Sequence, residues 1–239
     1  MLPDPMPDTQ PVYIFDLDGT VVSCNTFPLW AMHMLRAQVP HGNRWRGAVT
    51  AGAVGRLLLQ RKLGRLPHRV LKQRLQEIWR RATEGDSGDH ATRFAVLMER
   101  HVRPNMAGLL RQVRGGKIDA VLATAAAGEY GHALGRRLGF AHVLASDEED
   151  NLGEAKLRNV LAFLASRHWS HRPRVVFTDH IDDLPLMRAC DAVCWFGPGS
   201  EYPAVNAQLP GIATMSAHGL DDAGVTSAVT GLFPVRPPG

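Results

Sequence analysis

Two aspartates lie two positions apart, directly after the short apolar run at 12–15. Asp16 and Asp18 are followed by Gly19, which allows a tight turn whose amide can face an anion. One carboxylate of such a pair can attack an electrophile while the other transfers a proton. The same residues would also fit an acidic turn at the protein surface.

Three further segments carry polar side chains at the expected end of a strand or start of a helix. Thr124 closes an apolar run and would either bond a phosphate oxygen or cap the next helix. Lys156 lies near a helix start, where its ammonium opposes the helix dipole unless a carboxylate and a phosphate offset it; a solvated surface lysine is the alternative. Asp179, Asp182 and Asp183 suit Mg²⁺, which prefers oxygen ligands; alternatively, Asp182 or Asp183 caps the following helix.

The elements that must position these residues alternate between strand and helix patterns. Near-continuous apolar runs predict five strands buried on both faces, as in a parallel sheet, at 12–16, 118–124, 142–146, 174–179 and 191–197. Apolar spacing predicts helices at 128–139, with Gly139 as the stop, and at 154–168. This alternation predicts an α/β layer fold, in which ligands bind beyond the carboxyl ends of the strands.

Charge divides the chain into two parts. Of its 239 residues, 45% are hydrophobic and 21% charged, which is enough apolar material for a packed core. Residues 24–111 hold 16 lysines and arginines but 5 acidic residues, a net charge of +11, whereas the remainder holds 11 and 18, a net charge of −7. Helix patterns alone run from about 26 to 114. We therefore expect a helical domain at 24–111 and a core domain at 1–23 and 112–239.

The order and strand context of the four segments resemble the haloacid dehalogenase (HAD) superfamily, from about residue 12 to 197. The matching residues are Asp16, Asp18, Thr124, Lys156, Asp179 and Asp183. The resemblance implies a Rossmann-like core with a parallel sheet and an all-helical C1-type cap inserted after the first strand. It is strongest to the branch that contains phosphoserine phosphatase.

This resemblance implies a Mg²⁺-dependent phosphatase that hydrolyses a phosphate monoester. Asp16 would attack phosphorus and form an aspartyl-phosphate, and Asp18 would protonate the leaving oxygen and then activate water. The carboxylates of Asp16 and Asp179, with the backbone carbonyl of Asp18, would hold Mg²⁺. Thr124 and nearby backbone amides would bind the phosphoryl oxygens, and Lys156 would balance their charge.

The remaining residues expected in the site define the metal surroundings and the substrate contacts. Asp183 belongs to the expected metal site because it would orient Lys156 or a water at the metal. The expected substrate-binding residues are Gly19, Thr20, Asn25 and Ala125.

The chain departs from the family pattern at two places. The last motif usually begins Gly-Asp-Ser but reads Thr178-Asp179-His180 here, which would alter the surroundings of the metal. Asn25 stands where the phosphoserine branch has a glutamate that holds the substrate ammonium. Because an amide cannot form that ion pair, phosphoserine is disfavoured as the substrate.

The basic segment at 24–111 bears on partners. It would attract a phosphorylated, anionic small molecule, or it is simply a solvated face. It could also contact an anionic membrane through basic residues around the run 47–59, with a lipid phosphate as substrate. These basic residues are Arg44, Arg46, Arg56, Arg61, Lys62, Arg65 and Arg69. Nucleic-acid stacking on Trp45 and Trp79 is disfavoured, because large aromatics at helical spacing usually pack in a core.

Two broader expectations remain. A non-catalytic module that binds a phosphorylated ligand or a membrane is the alternative to an enzyme. The chain has three cysteines, an acidic start and no apolar run approaching about 18 residues, so we expect a cytoplasmic protein without a membrane span.

Overall fold

The computed structural model describes residues 10–37, 52–57, 59–60, 63–65, 70–71, 74–75, 77–78, 87–147 and 149–232. Within them, parallel strands pair into one six-stranded sheet of order β3-β2-β1-β4-β5-β6. The strands are β1 (Val12–Phe15), β2 (Asp119–Ala127), β3 (His142–Ser146), β4 (Arg174–Thr178), β5 (Ala192–Trp195) and β6 (Ala213–Ser216). The predicted α/β fold with a parallel sheet is confirmed.

Helices connect the strands. They are α1 (Thr26–Ala37), α2 (Ser87–Met98), α3 (Ala107–Arg114), α4 (Gly128–Leu138), α5 (Glu154–Ser166), α6 (Leu184–Arg188), α7 (Tyr202–Asn206) and α8 (Asp222–Leu232). Short 3-10 turns lie at Glu99–His101, Pro104–Met106 and Ile181–Asp183. The predicted stop of α4 is confirmed, because Gly139 adopts a left-handed φ of 103° at its C-cap.

The inner strands β1, β4 and β5 are buried on both faces, as their unbroken apolar runs predict. The edge strands β3 and β6 are partly exposed, so the prediction that β3 is buried on both faces is wrong. Tyr13 and Phe15 of β1 face one core cluster, and Val12 and Ile14 face the other. Phe15 stacks on Phe177 of β4 with ring centroids 4.3 Å apart. These contacts fix β1 at the middle of the sheet.

The helix α5 buries a narrower face than its apolar spacing predicts. Val160 and Leu164 are fully buried, but Leu161 is 38% exposed. A straight helix turns about 100° per residue, so adjacent positions 160 and 161 cannot both face the sheet squarely.

The order of the strands creates a crevice above β1 and β4. The chain runs outward from β1 through β2 to β3 and then returns to β4 on the opposite side of β1. Phe15 is in register with both Leu122 and Phe177, so these three strands end at the same edge. Ligands of open α/β sheets bind at such a switch point.

Where it is described, the segment between β1 and β2 forms helices, turns and bends, apart from two isolated bridges, Asp18 with Val22 and Val22 with Val102. Position 111, where we expect the cap to end, lies within α3. This helix packs against α8, and Arg111 pairs with Asp222 at 3.0 Å. The division into a core and a cap stays a prediction.

Several residues of the predicted basic segment lie outside the described residues. They are Arg44, Trp45, Arg46, Arg61, Lys62, Arg69 and Trp79. In the parts of the chain that are described, no helix is long and apolar enough to cross a membrane.

Candidate active site

A cleft of about 610 Å³ opens at the carboxyl edge of the sheet. Asp16 follows β1 and Asp179 follows β4, while Lys156 comes from the first turn of α5. The predicted site residues that line the cleft are Asp16, Asp18, Gly19, Asn25, Thr124, Ala125, Lys156, Asp179 and Asp183. The fold therefore brings these predicted residues together from distant parts of the chain.

An ion cluster forms the floor of the cleft. The Nζ atom of Lys156 lies 2.7 Å from Oδ1 of Asp16 and 2.8 Å from Oδ1 of Asp183. Thr178 donates its hydroxyl to Oδ2 of Asp183 at 2.7 Å. Only 2% of the Lys156 side chain is exposed, which rules out the alternative of a solvated surface lysine.

Burial and charge act in opposite directions within this cluster. Burial raises the pKa of Asp16, although the neighbouring ammonium of Lys156 lowers it. For Lys156, burial lowers the pKa, but the carboxylates of Asp16 and Asp183 raise it by more than burial lowers it. The net shift of the Lys156 pKa is therefore upward. Lys156 therefore remains a cation at neutral pH.

Asp18 is held from the start of α1. Its Oδ1 accepts a hydrogen bond from the backbone N–H of Thr26 at 3.1 Å, and the Thr26 hydroxyl donates to the Tyr130 hydroxyl at 3.0 Å. Burial raises the pKa of Asp18 to about 6, although the bonds from Thr26 oppose that shift. A carboxyl group with this pKa can give and take a proton near neutral pH.

Gly19 allows the loop after β1 to approach Asp179 closely. Its φ is 76°, and a Cβ atom at this position would lie 1.9 Å from Oδ2 of Asp179. Thr20 is absent from the cleft lining, but its hydroxyl donates to Oδ1 of Asp179 at 3.2 Å. Thr20 therefore orients an acidic side chain where we expected a substrate contact. Burial also raises the pKa of Asp179.

Thr124 and Ala125 lie in an irregular stretch of β2, where the register with β3 shifts. The Thr124 hydroxyl accepts from the backbone N–H of Ala126 at 3.0 Å, which leaves its own hydrogen to donate. No side chain caps α4, whose N-cap is Ala127, so Thr124 is not the capping residue of that helix. The Ser146 hydroxyl of β3 donates to the Ala125 carbonyl at 3.0 Å and holds this irregular stretch of β2 in place.

The two unusual residues of the last motif have local roles. Thr178 accepts from the backbone N–H of His180 at 3.3 Å in addition to its bond to Asp183. Nδ1 of His180 accepts from the backbone N–H of Asp182 at 3.2 Å and so caps the short 3-10 turn. His180 also lines the cleft, beside Asp179.

The oxygen donors of the cleft fit a hard divalent cation. Asp16, Asp18, Asp179 and Asp183 face a single lysine, so the cluster has an excess of negative charge. Among the described residues, no three His, Cys, Asp or Glu side chains group as a complete metal site. The predicted set differs from such a site, since it uses two carboxylates and a backbone carbonyl, all of them oxygen ligands that Mg²⁺ prefers.

Three residues at the cleft were missed as site residues from the sequence. Arg103 lines it and donates Nε to the Gly19 carbonyl at 2.8 Å, but the sequence marks it only as one basic residue among many. Tyr130 is buried in α4 and looks like a core residue in the sequence, and Thr26 carries no local signal. Their roles depend on contacts between residues far apart in the chain.

The model of the haloacid dehalogenase-like hydrolase family matches residues 13–188. The chain belongs to this family. The matched region contains both aspartates after β1, the lysine of α5 and the acidic loop after β4. A comparison with curated proteins finds no match to this chain.

Several solved structures have a similar fold. A protein of unknown function from Bordetella pertussis Tohama I has 16% identity and a TM-score of 0.64, covering 87% of this chain and 98% of that chain. A HAD family hydrolase from Salmonella enterica serovar Typhi has 12% identity and a TM-score of 0.58, with coverages of 97% and 75%. A probable phosphoserine phosphatase from Vibrio cholerae has 11% identity and a TM-score of 0.59, with coverages of 97% and 70%. At these identities the likeness concerns the fold.

Proposed function

We propose that this HAD hydrolase is a Mg²⁺-dependent phosphatase that acts on phosphate monoesters through an aspartyl-phosphate. The observation that carries the proposal is the pairing of a buried lysine with Asp16, two residues before a second buried aspartate. Members of this family that break carbon–halogen bonds lack an acid at the position of Asp18. The presence of Asp18 therefore favours a phosphatase. The Vibrio cholerae neighbour, named a probable phosphoserine phosphatase, agrees with this class of reaction.

In the first step, a carboxylate oxygen of Asp16 attacks phosphorus and the bond to the leaving oxygen breaks. Asp18 donates its proton to that leaving oxygen, which departs as an alcohol. The raised pKa of Asp18 makes the protonated form available near neutral pH. Thr26 keeps the acid in place through its backbone hydrogen bond.

In the second step, water attacks the phosphorus of the aspartyl-phosphate and the bond to Asp16 breaks, releasing inorganic phosphate. Asp18, now ionised, takes the proton of that water. The Thr124 hydroxyl donates to a phosphoryl oxygen, and Lys156 holds Asp16 in position while it offsets the phosphoryl charge. Asp16, Asp179 and the Asp18 carbonyl would hold Mg²⁺, which reduces the repulsion between the anionic nucleophile and the phosphoryl group.

We also propose that residues 24–111 act as a helical cap over the cleft and favour an anionic small molecule. Asn25 and Phe27, at the start of this segment, line the cleft. The Asn25 side chain accepts from the backbone N–H of Phe27 at 3.0 Å, so its oxygen is already used at the start of α1. With no carboxylate at position 25, phosphoserine is a poor substrate.

The proposed location is the cytoplasm. Cys24, Cys190 and Cys194 are all free, as expected in a reducing compartment.

Hydrolysis of p-nitrophenyl phosphate, with and without Mg²⁺, tests the reaction class. We expect turnover that requires Mg²⁺, no turnover by Asp16→Asn, and a much higher Mg²⁺ requirement for Asp179→Ala. Asp182→Asn is the matched control, because Asp182 lines the same cleft but has no assigned part in the reaction, so its turnover should stay close to that of the wild type. Mg²⁺-independent turnover, or wild-type rates in folded Asp16→Asn protein, would refute the proposal.

A further inference from the structure

We propose that Arg103 binds a second anionic group, carried by the leaving-group part of the substrate. This inference rests on the proposed phosphatase function and deepens it, because it names the substrate class. The ligand is a phosphate monoester that also bears a carboxylate or a second phosphate. Four observations on Arg103 lead to this assignment.

The backbone around Arg103 is hydrogen-bonded to the segment that follows Asp16 and Asp18. Its N–H donates to the Val21 carbonyl at 3.0 Å, and Val102 bridges Val22. The adjacent His101 carbonyl accepts from the backbone N–H of Ser23 at 2.8 Å. Residues 101–103 therefore run beside residues 21–23. This pairing places the Arg103 side chain at the wall of the cleft.

The side chain of Arg103 is held on two sides. Nε donates to the Gly19 carbonyl at 2.8 Å, and Cζ lies 5.9 Å from the centre of the Phe196 ring. A guanidinium that is already fixed loses less conformational freedom when it binds an anion than a free side chain does. Arg103 is thus pre-organised for binding.

The terminal nitrogens of Arg103 remain available within the described part of the chain, where its side chain donates one hydrogen bond. The other lysine or arginine that lines the cleft among these residues is Lys156, whose ammonium already lies between Asp16 and Asp183. Two parallel N–H groups of a guanidinium match the oxygens of a carboxylate or phosphate. Arg103 is therefore the cleft cation suited to an additional anion.

The position of Arg103 separates it from the expected phosphoryl pocket. Thr124 belongs to β2, on one side of β1, whereas Phe196 follows β5, on the other side and beyond β4. The Arg103 guanidinium lies near Phe196, on the β5 side of the cleft, and Thr124 lies on the β2 side, which favours separate anionic groups at the two residues.

Calorimetric binding to full-length Asp16→Asn protein with Mg²⁺ tests the subsite without turnover. Two ligands, 3-phosphonooxypropanoate and propane-1,3-diyl bisphosphate, carry a second anionic group and are the doubly anionic ligands. The other two are 3-phosphonooxypropanamide, whose leaving group is a neutral amide, and 3-aminopropyl phosphate, whose leaving group is cationic. Adding Arg103→Met should weaken the binding of both doubly anionic ligands about tenfold or more. It should weaken the binding of the amide ligand less than about twofold. Arg103→Lys should restore part of the affinity, since it keeps the charge but loses the planar fork.

Arg100→Met is the matched control. Arg100 is exposed, three residues away and outside the cleft lining, so all four affinities should stay unchanged. Equal weakening of the amide and the carboxylate by Arg103→Met would show that Arg103 acts only through Gly19, and would overturn the proposal. Tightest binding of the aminopropyl ester, or no binding of the doubly anionic ligands, would overturn it as well.

Turnover of the same ligands by the wild-type protein separates the two proposals. If the doubly anionic esters bind through Arg103 but none of the ligands is hydrolysed, the phosphatase proposal fails while the anion subsite stands. If the amide ligand and the doubly anionic ligands are hydrolysed with equal kcat/KM, the subsite proposal fails while the phosphatase proposal stands.

Discussion

Lys156 and Asp16 form a buried ion pair, with Nζ 2.7 Å from Oδ1, at the centre of the candidate active site. The same ammonium lies 2.8 Å from Asp183, so one cation is shared between two carboxylates. A lysine at the start of a helix would ordinarily oppose the helix dipole. Here the two carboxylates hold it, and the pairing fixes the orientation in which Asp16 faces the cleft.

Replacing Lys156 with Met should reduce both stability and activity. The change leaves two buried carboxylates without their cation, which costs about 3–5 kcal/mol of unfolding free energy. Chemical denaturation and p-nitrophenyl phosphate turnover measure the two effects. Lys117→Met removes an exposed lysine and should change neither. Unaltered stability of Lys156→Met would mean that the ion cluster is not formed.

The metal-free protein should lose stability as the pH rises from about 4 to about 6. Burial raises the pKa of Asp18 from its ordinary 3.8 to about 6, so the folded state binds more protons than the unfolded state in this window. The stability that this group contributes is present below pH 4 and is lost as the pH passes through 6. Burial shifts Asp16 and Asp179 in the same direction.

Urea denaturation in a chelator, at pH 4 and pH 7, measures this dependence. Asp18→Asn should flatten it, because it removes one titrating carboxyl group, and Mg²⁺ should restore stability at pH 7. A wild-type protein whose stability difference between the two pH values equals that of Asp18→Asn would contradict the assignment to Asp18.

Gly19→Ala should abolish activity and destabilise the fold by more than the backbone conformation alone requires. A residue other than glycine at positive φ costs about 1–2 kcal/mol, and here the new Cβ would also overlap the Asp179 carboxylate. Gly116→Ala isolates the backbone cost, since Gly116 has a φ of 61° with no atom within 4 Å of the added Cβ. Equal losses of unfolding free energy in the two variants would argue against the close approach of Gly19 and Asp179.

Tyr130→Phe should slow the hydrolysis of alkyl phosphates more than that of p-nitrophenyl phosphate. The Tyr130 hydroxyl supports Thr26, which positions Asp18, and alkyl leaving groups depend more strongly on protonation by that acid. We expect kcat for an alkyl phosphate to fall about threefold to tenfold, with little change for the nitrophenyl ester. Tyr202→Phe, which removes a hydroxyl bonded to Thr214, is the control. Equal slowing of both esters would assign Tyr130 a general structural role.

Sequence periodicity could predict the parts of the fold that are buried on both faces. The strand β1 is a continuous apolar run because core clusters cover both of its sides. The strand β6, Ala213–Ser216, was missed because it is short and partly exposed at the edge of the sheet. The helix α8 was also missed, and its contacts with α3 depend on pairing across more than a hundred residues.

The site divides in the same way. Motif residues such as Asp16 and Asp179 could be predicted because they directly follow buried strands, whose carboxyl ends meet at one edge. Arg103 could not, since its role comes from a contact with Gly19, 84 residues earlier in the chain. The pair of Thr26 and Tyr130 is separated by 104 residues and carries no local pattern.

Direct detection of a phosphorylated Asp16 tests the central claim. Full-length protein with Mg²⁺ is mixed with a rapidly hydrolysed phosphate ester, quenched in acid within the first turnover and digested for mass spectrometry. We predict one added phosphoryl group on the peptide that contains Asp16, absent from Asp16→Asn and also from wild-type protein quenched after the substrate is exhausted. Rapid turnover with no phosphoryl adduct, or an adduct on a different residue, would contradict the aspartyl-phosphate mechanism.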